Sequence, residues 1–170
     1  PGFGLERQKQ LQRYNEFSAA GMLLRDSVPG RVEVGDGRPT IVWTFAKEDA
    51  FRMRQAVERC AEAWLASGAS AALTGHSRLT VLKSRKDFAK LDSVGWLGGE
   101  LSLFCFHQMG TARMGGSPAI GATTPTGRLW AYKNLYVADG SLFPTASGVN
   151  PQLTIYGLTD VVADGILAET

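Results

Sequence analysis

The 170 residues are 44% hydrophobic and 20% charged, which places the chain in the ordinary globular class with length enough for a real core. Eighteen basic residues nearly cancel sixteen acidic ones, and the net charge of +2 gives no reason to invoke nucleic acid. The small basic cluster of Lys83, Arg85 and Lys86 reads as a solvated surface. Two cysteines, Cys60 and Cys105, make neither a disulfide framework nor a metal-ligand spacing, so no metal is expected. No apolar run reaches the length of a membrane crossing and no signal peptide is evident, so the default location is cytoplasmic.

Taken in order, Pro1-Gly2-Phe3-Gly4 is a turn-rich entry, followed by a helix-like stretch from Leu5 to about Ala20 and a strand at Met22 to Leu24. Arg31 to Val34 alternates apolar with charged residues, Asp36-Gly37 is a hairpin turn signal, and Pro39 to Phe45 supplies the returning strand. Lys47 to Ser67 carries Met53, Val57, Cys60 and Trp64 at three- and four-residue intervals, the stripe of a helix packed on a sheet, with Gly68 as its stop. Cys60 on that stripe is expected to be a small buried hydrophobe.

A strand is expected around Leu79 to Leu82, a short charged helix from Ser84 to Leu91, and a flexible turn at Gly95 to Gly99. Leu101 to Phe106 reads as a buried strand delivering His107, with Cys105 a core strand residue rather than a nucleophile. Loops follow at Gly115 to Pro118 and Thr124 to Gly127. Leu135 to Ala138 reads as a strand ending in the Asp139-Gly140 turn. A loop with Pro144 and Gly148 leads to a closing helix from Asn150 to Ala168, with Asn150 as N-cap and Pro151 at the first helical position. Strand, turn and helix N-terminus in that order is how α/β proteins present backbone N–H groups to an anionic or electron-rich ligand.

Two runs stand apart from this background: Phe106-His107-Gln108-Met109-Gly110-Thr111-Ala112-Arg113-Met114-Gly115, and Asn134 to Thr145 with its core Asp139-Gly140-Ser141-Leu142-Phe143-Pro144-Thr145 leading to Asn150-Pro151. In content, order and spacing they resemble the C-terminal signature of the glucose-methanol-choline (GMC) flavoprotein oxidoreductases, and within it the long-chain or sterol-type alcohol oxidoreductase branch. The earlier chain is similar more loosely, through Leu24 to Ser27, Gly30 to Val32 and Gly37 to Pro39.

The resemblance implies an α+β fold: an antiparallel sheet with helices from residues 1–104, part of a substrate-binding domain, and a strand, turn and helix from residues 105–170 belonging to an FAD-binding α/β domain. It implies His107 as the catalytic base, and imidazole is the side chain suited to taking a hydroxyl proton near neutral pH. Asn150 matches the second catalytic position, histidine or asparagine in the family; its amide can donate to and orient a substrate oxygen but cannot act as a base. Asp139 and Gly140 match residues contacting the ribityl–pyrophosphate region of FAD, while Asn150, Pro151 and Gln152 face the flavin's pyrimidine edge. There a helix dipole stabilises the negative charge of the reduced ring. Each has a plainer reading as turn or cap. His76, the other histidine, lacks a partner motif and defaults to a turn role.

The Gly-x-Gly-x-x-Gly dinucleotide fingerprint is absent from this sequence. The likeness covers nearly the whole chain but only the C-terminal third or so of a full-length family member. The expected partners are therefore a hydrophobic small-molecule alcohol or sterol and an N-terminal FAD-binding half, whose docking site should be an exposed apolar surface. The rival reading is a free-standing, non-catalytic domain that keeps the fold without binding FAD. A hydrolase is disfavoured, because Ser141 and Ser147 lack the Gly-x-Ser-x-Gly elbow.

Overall fold

In the computed structural model, which describes residues 3–169, α1 spans Leu5–Gln12, β1 Arg31–Gly35, β2 Arg38–Val42, α2 Lys47–Ala66, β3 Ala72–Leu73, β4 Val81–Leu82 and α3 Gln152–Glu169. Helices and small antiparallel sheets make this an α+β chain. By backbone contacts it divides into two units, one formed by the residues up to Pro29 with Trp43–Phe104, the other by Gly30–Val42 with the chain from Cys105 onward. The Pro1-Gly2 part of the entry turn lies outside the described residues.

The first unit is built on α2. Its buried positions are Asp49, Ala50, Met53, Val57 and Ala61, so the packed stripe is rotated slightly from the expected one: Cys60 and Trp64 are only half-buried. Val57 and Ala61 pack with Ala72, Leu82 and Leu91, while Ala50 and Met53 pack with Phe45 and Leu101. The half-buried Met22 and Trp96 touch both clusters. Full burial of an aliphatic side chain such as Leu82 or Leu91 is worth roughly 1.5–3 kcal/mol. Gly68 ends α2 at φ +98°, with Ala69 N–H bonded to Trp64 O (3.0 Å) and Gly68 N–H to Leu65 O (3.2 Å), the double bond that satisfies a helix's last carbonyls.

The carboxylate of Asp49, 1% exposed in the first turn of α2, accepts from Ser27 N–H (3.0 Å), from the Ser27 hydroxyl (3.0 Å) and from the Arg52 guanidinium. Burial by itself would raise its pKa; these bonds outweigh burial and hold it below the usual carboxylate value. The Leu24-to-Ser27 run is thus fastened to α2 by a structural clamp.

Several expected elements are shorter or absent. The first helix stops at Gln12, followed by a 3₁₀ turn at Tyr14–Glu16, because Leu5, Leu11, Tyr14 and Phe17 find no surface to bury against and a short helix is not stable alone. Met22 to Leu24 forms no strand, and of the Leu79 segment Val81–Leu82 pairs with Ala72–Leu73, continued by one bond from Thr74 N–H to Thr80 O (3.1 Å). The Ser84 segment is a 3₁₀ helix, Arg85–Ser93, whose Asp87 carboxylate accepts from the N–H groups of Lys83 (2.9 Å) and Ser84 (3.0 Å). Leu101 to Phe106 is not a strand: only Leu101 makes bridges, to His76 and Gly98. Phe104 and Phe106 are 78% and 81% exposed, and Cys105 is exposed rather than core.

In the second unit β1 and β2 pair antiparallel, Arg31 opposite Val42 through Gly35 opposite Arg38. Asp36 (φ 50°) and Gly37 (φ 73°) form the two-residue turn whose left-handed backbone matches strand twist, as the Asp-Gly signal predicts. The return strand ends at Val42 rather than Phe45. Leu135 to Ala138 makes only an isolated antiparallel bridge, Tyr136 opposite Arg128, and no parallel sheet forms among the described residues. A strand needs a bonded neighbour along its length, and this segment has one only where residues 127–129 run beside it: Leu129 N–H bonds Leu135 O (2.9 Å) and Val137 N–H bonds Gly127 O (2.9 Å).

α3 starts one residue later than expected. The Pro151 carbonyl accepts the first helical bond, from Ile155 N–H (2.8 Å), so Pro151 rather than Asn150 takes the cap position. Val162 is buried against Gly127, where even a methyl group would clash. Near the helix end Glu169 pairs with Arg128 (3.3 Å) and accepts from the Tyr136 hydroxyl (2.7 Å). No helix of the described residues is long and apolar enough to cross a membrane.

Candidate functional site

The two signature runs lie against each other. Ala112 N–H bonds Ser141 O (3.1 Å) and Met114 N–H bonds Leu142 O (2.9 Å), stitching the chain after His107 to the turn after Asp139. Gly110 sits at φ +82°, a conformation glycine adopts without cost, and a side chain there would meet Phe143 O at 3.4 Å. Gly140 is the point of convergence: a Cβ on it would lie 3.2 Å from Gln108 O on one side and 3.5 Å from Ile155 Cδ1 of α3 on the other. Thr159 of α3 donates to Ala138 O (3.1 Å), so the helix is also pinned immediately before Asp139.

Beneath this seam Leu142 and Thr123 are fully buried, and Phe143 and Pro151 nearly so. The loop after Met114 folds back on itself through Ala122 N–H to Arg113 O and Gly115 N–H to Thr123 O, both 2.9 Å. Arg113 Nε closes it by donating to Ile120 O (2.9 Å). Gly121 fits there because it lacks a side chain; a Cβ would lie 2.5 Å from Arg113 O.

His107 is exposed, and its side chain makes no hydrogen bond or ion pair among the described residues. It is presented by a local brace: the Gln108 side-chain amide donates back to Cys105 O (2.9 Å), tying the residues on either side of the histidine. Asn150 is also exposed, follows the tight Ser147-Gly148-Val149 turn (Gly148 φ +70°), and its side chain likewise makes no hydrogen bond among the described residues. No bond links His107 to Asn150.

Asp139 is committed to its own turn. Its Oδ1 accepts from Ser141 N–H (2.8 Å) and from the Ser141 hydroxyl, and these two bonds hold the carboxyl below its usual pKa despite partial burial. It caps the 3₁₀ turn Gly140–Leu142. Gln152 opens α3 with its side chain bonded to the Tyr156 hydroxyl (2.6 Å). The backbone N–H groups of Gln152, Leu153 and Thr154 precede the first intrahelical bond, leaving the positive end of an 18-residue helix beside the Gly140 junction.

Sequence reasoning passed over His76. It is buried in the first unit rather than placed in an open turn, and the signal that could have found it is the alternation Ala72, Thr74, His76, all inward. Among the described residues there is no cluster of His, Cys, Asp and Glu able to hold a metal.

Comparison with known proteins places the chain in a family. The model of a family described as GMC oxidoreductase matches residues 27–159. A long-chain-alcohol oxidase of Arabidopsis thaliana, FAO4A, is 35% identical over 144 residues, covering 80% of this chain and 19% of its own length. An uncharacterized GMC-type oxidoreductase of Mycobacterium tuberculosis is 29% identical over 99% of this chain and 27% of its own length. A cholesterol oxidase of Acinetobacter baumannii is 44% identical over 57 residues, 34% of this chain and 10% of its own. The chain thus spans between a tenth and about a quarter of these relatives. With its signature runs joined at Gly140 and its family model matched from residue 27 to 159, this chain belongs to the GMC oxidoreductases.

Proposed function

We propose that this chain forms the catalytic C-terminal portion of an FAD-dependent oxidoreductase that oxidises a hydrophobic alcohol. Kinship with long-chain-alcohol oxidases supports alcohol oxidation as the chemistry of the family branch. The observation that carries the reading for this chain is the Gly140 junction. It gathers the backbone beside His107, the Asp139 turn and the first turns of α3 into one seam, with His107 and Asn150 exposed.

The residues at hand fit one edge of a flavin. The N-terminus of α3 offers N–H donors and a positive dipole end, and Gly140 lets the Gln108 backbone and Ile155 of α3 close around it. Asp139, Gly140, Asn150 and Gln152 would contact the group, with Pro151 buried behind them as the cap of α3; Asp139 shapes its turn through Ser141 and keeps its second carboxylate oxygen for a ligand. FAD, when bound, supplies a hydride acceptor. With no Gly-x-Gly-x-x-Gly run in this chain, the ADP half would be held by another part of the parent protein.

His107 would take the hydroxyl proton as the C–H bond breaks, and its exposure and freedom from competing bonds suit it to accept one. Asn150 would donate its amide to the substrate oxygen and fix its orientation. Residues 1–104 would contribute to the substrate-binding part. In the second unit the exposed Phe106, Leu153 and Tyr156 offer apolar side chains suited to the FAD-binding half or to the alkyl chain of the substrate.

The test is to assemble the chain with its FAD-binding half, bind FAD, and add alcohols of increasing chain length without oxygen. Bleaching of the visible flavin band by hydrophobic alcohols is the expected result. A bound flavin that no alcohol reduces would overturn the reading.

A further inference from the structure

We propose that His76 is an acid-operated latch: uncharged, it holds the 75–77 and 100–102 segments together, and taking up a proton releases them. The two segments meet as an isolated antiparallel bridge with His76 directly opposite Leu101, flanked by two backbone bonds, Ser77 N–H to Glu100 O and Ser102 N–H to Gly75 O, both 2.8 Å. The imidazole, 2% exposed, is sealed into this bridge. It stands perpendicular to the Trp96 ring (89°, centroids 4.6 Å apart), and Nδ1 lies 2.8 Å from the Thr74 hydroxyl. Nε2 is buried without a hydrogen-bond partner among the described residues.

That inventory suits a neutral ring and not a charged one. Both nitrogens of an imidazolium are donors; the Thr74 hydroxyl can accept one proton, and Nε2 then requires a second acceptor, for which the Gly95 carbonyl is near but outside hydrogen-bonding geometry. The charged groups around the ring are Glu100 and Arg78, which line a cavity of about 190 Å³ together with His76, Ser93 and Gly95. The Glu100 carboxylate lies over the Gly95 backbone, where a side chain on that glycine would be, and makes no bond to the imidazole.

Burial disfavours the charged ring, while Glu100 and the Gly95 carbonyl favour it. Burial dominates and holds His76 below its ordinary value of 6.5. The sign follows: the latch is at full strength above pH 6.5 and weakens as the pH falls below it, because the open form binds the proton more tightly. The cavity gives water a route to Nε2 once the bridge parts. None of this depends on the redox reading of His107.

The experiment is amide hydrogen exchange on the whole chain, corrected for intrinsic rates, at Ser77 and Ser102 from neutral to acidic pH. Their protection should fall together below pH 6.5, by at most about tenfold per pH unit for a single proton. Ala112 and Met114, bonded to Ser141 O and Leu142 O, should hold theirs. His76→Gln should abolish the pH dependence. Glu100→Gln, which removes the charge favouring the imidazolium, should move the transition to lower pH. Should His76→Gln fail to fold, the wild-type imidazole signal and Glu100→Gln decide. The chain has two histidines, so a His107→Ala variant assigns the resonances. Protection that stays flat in the wild type, pH dependence that persists in His76→Gln, or a His76 that titrates at 6.5 or above with the bridge closed would overturn the proposal.

Discussion

Gly121→Ala tests whether the loop behind the His107 segment is held as tightly as its geometry implies. A Cβ at Gly121 would stand 2.5 Å from Arg113 O and 2.6 Å from both Gly115 N and Met114 C, all backbone atoms with no rotamer to swing away. The loop must open, and overpacking of this kind costs about 1–3 kcal/mol. Opening also endangers the bonds Ala122 N–H to Arg113 O and Gly115 N–H to Thr123 O, each worth about 0.5–1.5 kcal/mol net. A loss of about 2–4 kcal/mol is expected, a large fraction of the ~5–15 kcal/mol that stabilises a typical domain. Gly116→Ala is the matched control in the same loop, with no atom within 4 Å of its Cβ and no left-handed backbone. It should stay within about 0.5 kcal/mol of the wild type. Urea unfolding followed by hydrogen exchange over residues 105–169, with the other unit as reference, measures both. A Gly121→Ala chain as stable as Gly116→Ala would refute the reasoning.

Leu142→Ala removes a fully buried side chain under the seam and should cost about 2–5 kcal/mol in the same unfolding assay, with faster exchange at Met114 N–H, which bonds Leu142 O. Asp87 is held down to about 2 by its bonds to Lys90, Lys83 and Ser84. Its contribution is therefore complete above pH 3.8 and lost as the pH falls toward 2, and melting curves of Asp87→Asn should lack that acid-side slope. Asn150→Ala should slow flavin reduction by about tenfold or more, one lost hydrogen bond's worth, while leaving its pH dependence unchanged, because an amide orients but does not titrate.

Where a structural signal is local, the residues announced it. Asp36-Gly37 needs only its own two left-handed backbones, and α2 needs only its periodic apolar stripe and the glycine beyond it. Leu101 to Phe106 and Leu135 to Ala138 have the composition of strands, but a strand exists only with a bonded neighbour, and composition says nothing of where that neighbour lies. The clamp of Ser27 by Asp49 joins residues twenty-two positions apart, and nothing in either short stretch foretold the other. At the site, the resemblance to the family pointed to His107 and Asn150. The close packing around Gly140 emerged only with Gln108 O and Ile155 on either side of it. His76 was overlooked because a lone histidine in a glycine-containing stretch looks like a turn, while its burial follows from the inward alternation Ala72, Thr74, His76.

The central claim is that His107 takes the proton of an alcohol while a flavin takes its hydride. The most direct measurement is the anaerobic rate of flavin reduction by a long-chain alcohol in the assembled protein, wild type against His107→Gln. The account predicts that the variant binds FAD and alcohol as before but reduces the flavin ~10²–10⁴-fold more slowly, the usual worth of a general base. A His107→Gln protein that bleaches at the wild-type rate would contradict it.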